Sequence, residues 1–298
     1  MTHDDWHFTR DPDEFLHRAG DFLRSRPAQH TVHLTVTETL RTRGAGVYGA
    51  SDPEFGVLAG ADGHGARAAF LRTPPHPLVL TALTGREADV LAARLAGREQ
   101  AGREQAGSGG LTGVNADDAT AAAFAAAWQR HTGARTAVQR RLRLYRLGEL
   151  TAPRPAPPGR ARSAGAADRE LLARWYVEFG IAVGEAAVRD PADWAADRAE
   201  RGDVLFWETP DGTPVAMAGS SPPVAGQVRV NAVYTPAHLR GRGYAGAVTA
   251  EVSRAAARTD GVREVLLFTD LANPTSNGLY QRIGYHPVSD FAVHAFTG

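Results

Sequence analysis

Between residues 168 and 183 the apolar positions fall at Leu171, Leu172, Trp175, Tyr176, Phe179 and Val183, a spacing that lines one face of a helix. The pattern then shortens. Residues 203–207 and 214–219 are apolar runs on either side of Asp211-Gly212, the turn chemistry of a tight hairpin. Residues 228–235 read as a further strand. Helical spacing returns at residues 244–258, with Ala245, Val248, Val252 and Ala255 on one side and Asp260-Gly261 marking the end. Residues 264–269 have the continuous apolarity of a buried strand. The last helix is marked at both ends, by Asn273 at the N-cap, Pro274 at the first helical position and Gly284 just past the end. Residues 286–296 supply closing strands. The order is helices, an antiparallel meander, then helix, strand, helix, strand, which predicts an α/β sandwich of about 140 residues.

The first half repeats this rhythm more faintly. Residues 12–26, 85–97 and 116–131 read as helices. Residues 54–60, 66–71, 77–83, 111–114 and 137–147 read as strands. Residues 111–133 run strand, Asn115, helix, glycine, much as the chain does around Asn273, so two copies of one fold are expected. Between the halves, residues 151–159 carry four prolines, which remove N–H donors and favour extended geometry. The expected division is therefore residues 1–150, a linker at 151–158, and residues 159–298. The tandem Gly-Arg-Glu-Gln-Ala copy within residues 96–110 reads as a helix end running into a tolerant surface loop.

Charge and composition narrow the function classes. Lys+Arg and Asp+Glu both number 33, so nothing draws the chain as a whole to nucleic acid or to an anionic membrane. The chain has no cysteine, which excludes disulfides, thiolate metal sites and a cysteine nucleophile. Its start is polar and acidic, unlike a secretory signal, and no apolar run approaches the roughly 18 residues of a membrane span. The expectation is a soluble cytoplasmic protein with no bound metal.

The candidate chemistry sits in one turn. Residues 240–245, Arg-Gly-Arg-Gly-Tyr-Ala, fit the pattern Arg/Gln-x-x-Gly-x-Gly/Ala. About one match is expected by accident in a chain this rich in arginine, glycine and alanine. Matches also begin at Arg41 and Arg162, but no helix follows the first, and a proline-rich linker rather than a strand precedes the second. At Arg240 both are present, so backbone N–H groups and a helix N-terminus can act on one phosphate. The alternative is a tight turn that only connects two elements.

The segment Val-Tyr-Thr-Pro-x-x-x-Arg-Gly-Arg-Gly-Tyr-Ala, with Thr-Asp-Leu-Ala-Asn-Pro-Thr-Ser-Asn-x-Leu-Tyr-Gln-Arg-Ile-Gly-Tyr further on, closely resembles the GNAT superfamily of acyl-CoA-dependent N-acetyltransferases. The resemblance covers residues 159–298 and is only architectural for residues 1–150. Among two-lobed members it is most similar to bacterial predicted acetyltransferases. It implies an α/β protein of tandem GNAT-like folds, each a mixed, mostly antiparallel sheet flanked by helices, with a degenerate N-terminal lobe. That lobe lacks the glycine spacing before its helix at residue 85, and is expected to be non-catalytic and to shape the acceptor pocket.

The same resemblance implies the site. The strand at Val233, Tyr234 and Thr235 would splay from its neighbour and pair with the pantetheine amides of acetyl-CoA. Arg240, Gly241, Arg242, Gly243, Tyr244, Ala245 and Gly246 would hold the pyrophosphate, the glycines letting it approach the backbone. Asn273 would meet the cofactor arm, or only cap its helix, and Asn277 lies one turn on. Tyr280 would donate a proton to the departing thiolate, the alternative being a core tyrosine packed with Leu279 and Ile283. The strand residues Val228 to Ala232 carry no carboxylate, so the general base is water or a group from elsewhere. Glu178 and Glu185 share a stripe with Leu171, Trp175 and Ala182 and could face a substrate cleft, or be solvated. The implied reaction moves acetyl from acetyl-CoA to a primary amine of a small molecule or a protein, with homo-oligomerisation left open. The rival class is a non-catalytic CoA-binding sensor or scaffold. A tRNA-dependent aminoacyl transferase is disfavoured by the zero net charge and the lack of a basic stripe, and neither nucleic acid nor membrane is an expected partner.

Overall fold

One order of elements occurs twice along the chain. The computed structural model describes residues 5–60, 65–103, 110–184 and 189–298. The first half runs β1 (Trp6–Thr9), α1 (Pro12–Ser25), α2 (Thr31–Arg43), β2 (Glu54–Ala59), β3 (Ala66–Arg72), β4 (Leu78–Leu80), α3 (Gly85–Arg103), β5 (Gly113–Asp117), α4 (Asp118–Thr132) and β6 (Arg135–Leu147). The second runs β7 (Arg160–Ser163), α5 (Arg169–Val183), α6 (Pro191–Arg201), β8 (Val204–Glu208), β9 (Pro214–Ser220), β10 (Gln227–Tyr234), α7 (Tyr244–Ala257), β11 (Glu264–Asp270), α8 (Pro274–Arg282) and β12 (Tyr285–Thr297). Each half is strand, two helices, three strands, helix, strand, helix, strand. Each also holds a parallel strand pair bridged by a helix: β4 and β5 around α3, and β10 and β11 around α7. The other cited pairs are antiparallel, so the strands of each unit form a mixed, mostly antiparallel sheet.

The compact units differ from the sequence division. One is Met1–Arg143 with Asp270–Ala272 and Ser289–Gly298; the other is Leu144–Thr269 with Asn273–Val288. Strand β12 thus begins in the second unit and ends in the first, where Phe291 to Ala295 pair with Asp117 to Gly113 of β5. Phe296 at its end stacks on Trp128, 5.7 Å between centroids, inside the first unit's core. A proline-rich break shows where the chain leaves an element. It does not show which strand a distant terminus will pair with.

In the second unit the period-two alternation of β8 separates two apolar layers. Val204 and Phe206 join Trp175 and Trp194 of α5 and α6, whereas Trp207 joins Val248 of α7 and Ile283 just past α8. Helices therefore cover both faces of this sheet.

Three local readings need correction. Asn115 lies within β5, and the N-cap of α4 is Asp117, whose carboxylate accepts from the Thr120 amide at 3.1 Å. Helix α3 runs through the first copy of the tandem repeat to Arg103, while residues 104–109 lie outside the described residues. Helix α2 escapes periodicity altogether, because Val32, Leu34 and Val36 alternate as in a strand and threonine is a weak helix former. Its hydroxyls turn back onto the helix, Thr35 to the Thr31 carbonyl at 2.7 Å and Thr39 to that of Thr35 at 2.8 Å.

Helix α2 also buries two histidines in the first unit. His33 is 2% exposed, with Nε2 3.3 Å from the Val79 carbonyl; His30 is 5% exposed, with Nδ1 3.1 Å from the Leu23 carbonyl. Burial holds both below the ordinary histidine range, His33 down to about 3. The folded state keeps His33 neutral while the unfolded chain protonates it below about pH 6.5, so this stability is present at neutral pH and is lost as pH falls from 6.5 toward 3. Lowering the pH from 7 to 4.5 should cost about 2–3 kcal/mol through His33 alone. Urea unfolding at both pH values tests this. His33→Leu should flatten the acid slope, and an unchanged slope would remove His33 as its cause.

Candidate active site

The site is built where β10 leaves its neighbours. Its parallel register with β11 runs from Gln227↔Glu264 to Val230↔Leu267, yet β10 continues to Tyr234 and β11 to Asp270. On the other side, against β9, the register shifts between Asn231 and Tyr234, and Ala232 takes a φ of +48°. A bulge bends a strand away from its ladder. Half-buried Arg198 of α6 braces this one, donating to the Ser220 carbonyl at 2.7 Å and to Asn231 Oδ1 at 3.2 Å. Burial lowers the Arg198 pKa, and Asp203, 3.0 Å away, pulls against that shift. Nothing in the sequence flags Ala232, since alanine is not a residue expected at positive φ.

Past Tyr234 the chain makes a short 3₁₀ turn (Ala237–Leu239) and enters the glycine-rich turn. Gly241 and Gly243 have φ of +78° and +83°. Gly243 is the N-cap of α7 and provides no side-chain cap. The first N–H groups of this 14-residue helix therefore point outward with no side-chain acceptor among the described residues. Both arginines brace the turn. Arg240 Nε donates to the Thr235 carbonyl at 3.0 Å, and the Arg242 guanidinium to that of His238 at 3.4 Å, while both side chains remain at the surface. His238 is exposed.

The equivalent helix of the first unit is closed. At the start of α3 the Glu87 carboxylate accepts from the Thr84 amide at 2.8 Å and from the Thr84 hydroxyl at 2.9 Å. The same carboxylate pairs with Arg67. This helix N-terminus already holds an anion of its own, 8% exposed.

The proline-rich stretch is more than a spacer. It lies in the second unit, where the Thr151 amide donates to the Ile283 carbonyl at 3.1 Å and Trp207 Nε1 to that of Pro158 at 3.1 Å. A Cβ added to Gly243 would meet Pro157 at 3.8 Å, and one added to Gly246 would meet Leu279 at 3.0 Å and Pro153 at 3.4 Å. Residues 151–158 thus run beside the turn they precede by some eighty positions in sequence.

Helix α8 brings the remaining groups. Asn273 caps it, Oδ1 accepting from the Ser276 amide at 3.0 Å. The Asn277 side chain is engaged at both ends: Oδ1 accepts from the Tyr145 hydroxyl at 2.9 Å and Nδ2 donates to the Asn273 carbonyl at 2.8 Å. Four tyrosines of the second unit are buried: Tyr145, Tyr234, Tyr280 and Tyr285. Tyr285 shares a 2.7 Å hydrogen bond with Ser253, and Tyr234 donates to Glu178 at 2.8 Å. Tyr280 differs. It is 7% exposed, packs with Ile283 and edge-on to Tyr285 at 6.2 Å, and its hydroxyl has no hydrogen-bond partner among the described residues. Burial pushes the phenol up to about 12. Glu185 lies outside the described residues.

Residues 169–285 match the family model described as the Acetyltransferase (GNAT) family. They form a GNAT acetyltransferase domain. The protein is an acyl-CoA-dependent acetyltransferase, and its chemistry is acetyl transfer. No curated protein matches the chain in sequence. Among solved structures, a GCN5-related N-acetyltransferase from Sphaerobacter thermophilus is similar at 20% identity and a TM-score of 0.64, over 99% of this chain and 96% of that one. An acetyltransferase from the GNAT family of Colwellia psychrerythraea is similar at 12% identity and a TM-score of 0.56, over 98% of each chain. A tandem GNAT protein from the clavulanic acid biosynthesis pathway is similar at 13% identity and a TM-score of 0.57, also over 98% of each. At such identities the likeness speaks for the fold, and it spans both halves. The two-lobed GNAT architecture expected from the sequence is therefore present, with the family's sequence signature confined to the second half. Among the described residues no helix of the acetyltransferase is long and apolar enough to cross a membrane.

Proposed function

We propose that the protein transfers an acetyl group from acetyl-CoA to a primary amine of a small molecule or another protein. The donor would bind at Arg240, Gly241, Arg242, Gly243, Tyr244, Ala245 and Gly246, with its arm along Val233, Tyr234, Thr235 and Asn273. The observation that carries this reading is the start of α7, uncapped by any side chain beside a strand whose ladder ends early. Outward N–H groups and the helix dipole favour a pyrophosphate there. Asn277 is already shared between Tyr145 and Asn273, so its part is to hold α8. The Asn273 amide nitrogen remains free of protein partners among the described residues and can reach a ligand while its oxygen caps the helix.

Tyr280 would serve the leaving group. The expelled thiolate has a conjugate acid near the thiol range of about 8.5. A phenol raised to about 12 stays protonated at neutral pH and offers its proton to the developing charge. The chain contains no lysine, so a protein acceptor with a lysine amine would be another molecule. A cytoplasmic setting belongs to this reading, because a chain without cysteine relies on no oxidising compartment.

The capped start of α3 argues for one donor site per chain, in the second unit. Calorimetry on the intact chain should give one equivalent of acetyl-CoA. Two equivalents would show that the first lobe also binds; none would end the reading. The second reading, a non-catalytic CoA-binding module, is favoured by the lack of any carboxylate from Val228 to Ala232. Binding without amine-dependent release of CoA thiol would establish it.

A further inference from the structure

Six carboxylates of the second unit are held by arginines. Asp168 and Glu208 are held by Arg162, Asp203 by Arg198 and Arg201, Asp197 by Arg189 and Arg201, Glu251 by Arg254, and Glu264 by Arg146. Glu178 is half-buried on α5 and, among the described residues, has no cation. Its Oε2 accepts from the Tyr234 hydroxyl at 2.8 Å, and its Oε1 accepts from no described residue. Tyr234 is fixed in turn: 7% exposed, edge-on to Trp175 at 6.0 Å, and last in β10 just beyond the bulge. Burial, then the bond to Glu178, pushes its phenol up to about 12, so it remains a donor and Glu178 the acceptor. One carboxylate oxygen is thereby pinned at the splayed end of β10 while the other is left for a ligand.

The surroundings carry a second signal. Val138, Val177, Ile181 and Val183 are the large hydrophobics exposed among the described residues, and three of the four lie at the end of α5. Ile181 is 76% exposed and sits one turn along α5 from both Glu178, at i+3, and Val177, at i+4. An unpaired carboxylate beside an uncovered aliphatic ridge complements an ammonium on an apolar body.

We propose that Glu178, oriented by Tyr234, binds the acceptor's ammonium group and takes its proton, and that the acceptor is an alkyl or arylalkyl primary amine whose apolar part lies along Val177 and Ile181. This rests on the acetyl-transfer reading and supplies the base that β10 lacks. The ammonium gives one proton to Glu178. The freed amine attacks the thioester carbon, the C–N bond forms, and the C–S bond breaks as Tyr280 protonates the thiolate. The nitrogen sheds its second proton to water, which also re-protonates the phenol, and Glu178 returns its proton to solvent. The sum is acetyl-CoA plus ammonium giving amide, CoA thiol and one proton.

The test uses the intact chain, with thiol release measured for hexylamine, 2-phenylethylamine, spermidine and glucosamine, and acetyl-CoA affinity measured by calorimetry. The two apolar amines should show at least tenfold higher kcat/KM than the others. Glu178→Gln should bind acetyl-CoA within twofold of wild type and lose at least 100-fold in turnover with amines that arrive as cations. That deficit should shrink at least tenfold with a weakly basic amine such as 2,2,2-trifluoroethylamine, which needs no base to free it; a structural defect would lower all amines alike. Ile181→Glu should cut kcat/KM for hexylamine at least tenfold without changing acetyl-CoA affinity. A preference for spermidine or glucosamine, or a Glu178→Gln deficit independent of amine basicity, overturns the inference and leaves acetyl transfer standing. Acetyl-CoA binding with none of the four amines acetylated overturns it too. Absence of acetyl-CoA binding in the wild type removes the underlying reading with it.

Discussion

Tyr280→Phe should lower turnover by roughly 10²- to 10⁴-fold while leaving acetyl-CoA affinity within about twofold. The ring stays in the core with Ile283 and Tyr285, so packing is kept and only a hydroxyl is lost. That hydroxyl bonds to no described residue, and removing it should leave stability nearly unchanged. The control is Tyr285→Phe, which breaks a fully buried bond to Ser253 while the Ser253 hydroxyl keeps its bond to the Thr249 carbonyl, and should cost about 0.5–1.5 kcal/mol. The two substitutions should therefore separate, one losing activity without stability and the other the reverse. The loss at Tyr280 belongs in kcat rather than KM, because the charge it meets develops only as the C–S bond breaks. A phenol lifted to about 12 is a weak acid, so its benefit comes from a hydrogen bond in a water-poor place and should fall toward the lower end of the range. Pre-steady-state thiol release measures this step directly. A variant within a few-fold of wild type would leave Tyr280 as a core residue and water as the proton donor.

Legibility followed the range of the interactions. The N-cap at Asn273, the left-handed glycine past α8 and the Asp-Gly hairpin are set by two to four neighbouring residues, and all three read correctly from sequence. The strands β8 to β11 also read to within a residue or so at each end, β8, β9 and β11 from unbroken apolar runs and β10 from apolar positions alternating with Arg229 and Asn231. Helix α6 had good local signals, Asp190 and Pro191 before it and Gly202 after it, but its thin apolar content gave periodicity little to detect. Helix α2 was hidden for the opposite reason, its β-branched run being held helical by burial of Leu34 and Leu40.

Long-range features were not legible. That β12 closes onto β5 of the first unit depends on which strand edge is left open, and no local pattern encodes it. The brace from Arg198 to Asn231 joins residues far apart in sequence, and without it the positive φ at Ala232 has no visible cause. The site followed the same rule. The turn was visible because its glycines are adjacent, whereas the Tyr234–Glu178 pair and the proline-rich strap beside Gly243 needed the fold. The stripe through Glu178 was suggested by helical spacing, but its partner was not.

Gly243→Val should raise the Kd for acetyl-CoA by about 10- to 100-fold, and the reason differs from simple obstruction. A Cβ at this position points toward Pro157, 3.8 Å away, which is ordinary contact. What valine cannot hold cheaply is the φ of +83°, where a β-branched side chain is a steric outlier costing about 1–3 kcal/mol. The turn would relieve that strain by rotating Gly243 out of the left-handed region and swinging the first N–H groups of α7 off their common target. Losing that alignment by 1.4–2.8 kcal/mol corresponds to the stated range, about tenfold per 1.4 kcal/mol. Gly243→Asn distinguishes conformation from obstruction, since asparagine enters the left-handed region far more readily while still carrying a side chain. If conformation rules, asparagine should bind acetyl-CoA within about fivefold of wild type and melt close to it, with valine weaker and less stable. An asparagine variant that folds normally yet binds as poorly as valine would show that bulk against the strap, not backbone geometry, makes glycine necessary. Valine with wild-type affinity would mean that the pyrophosphate does not rest on this turn at all.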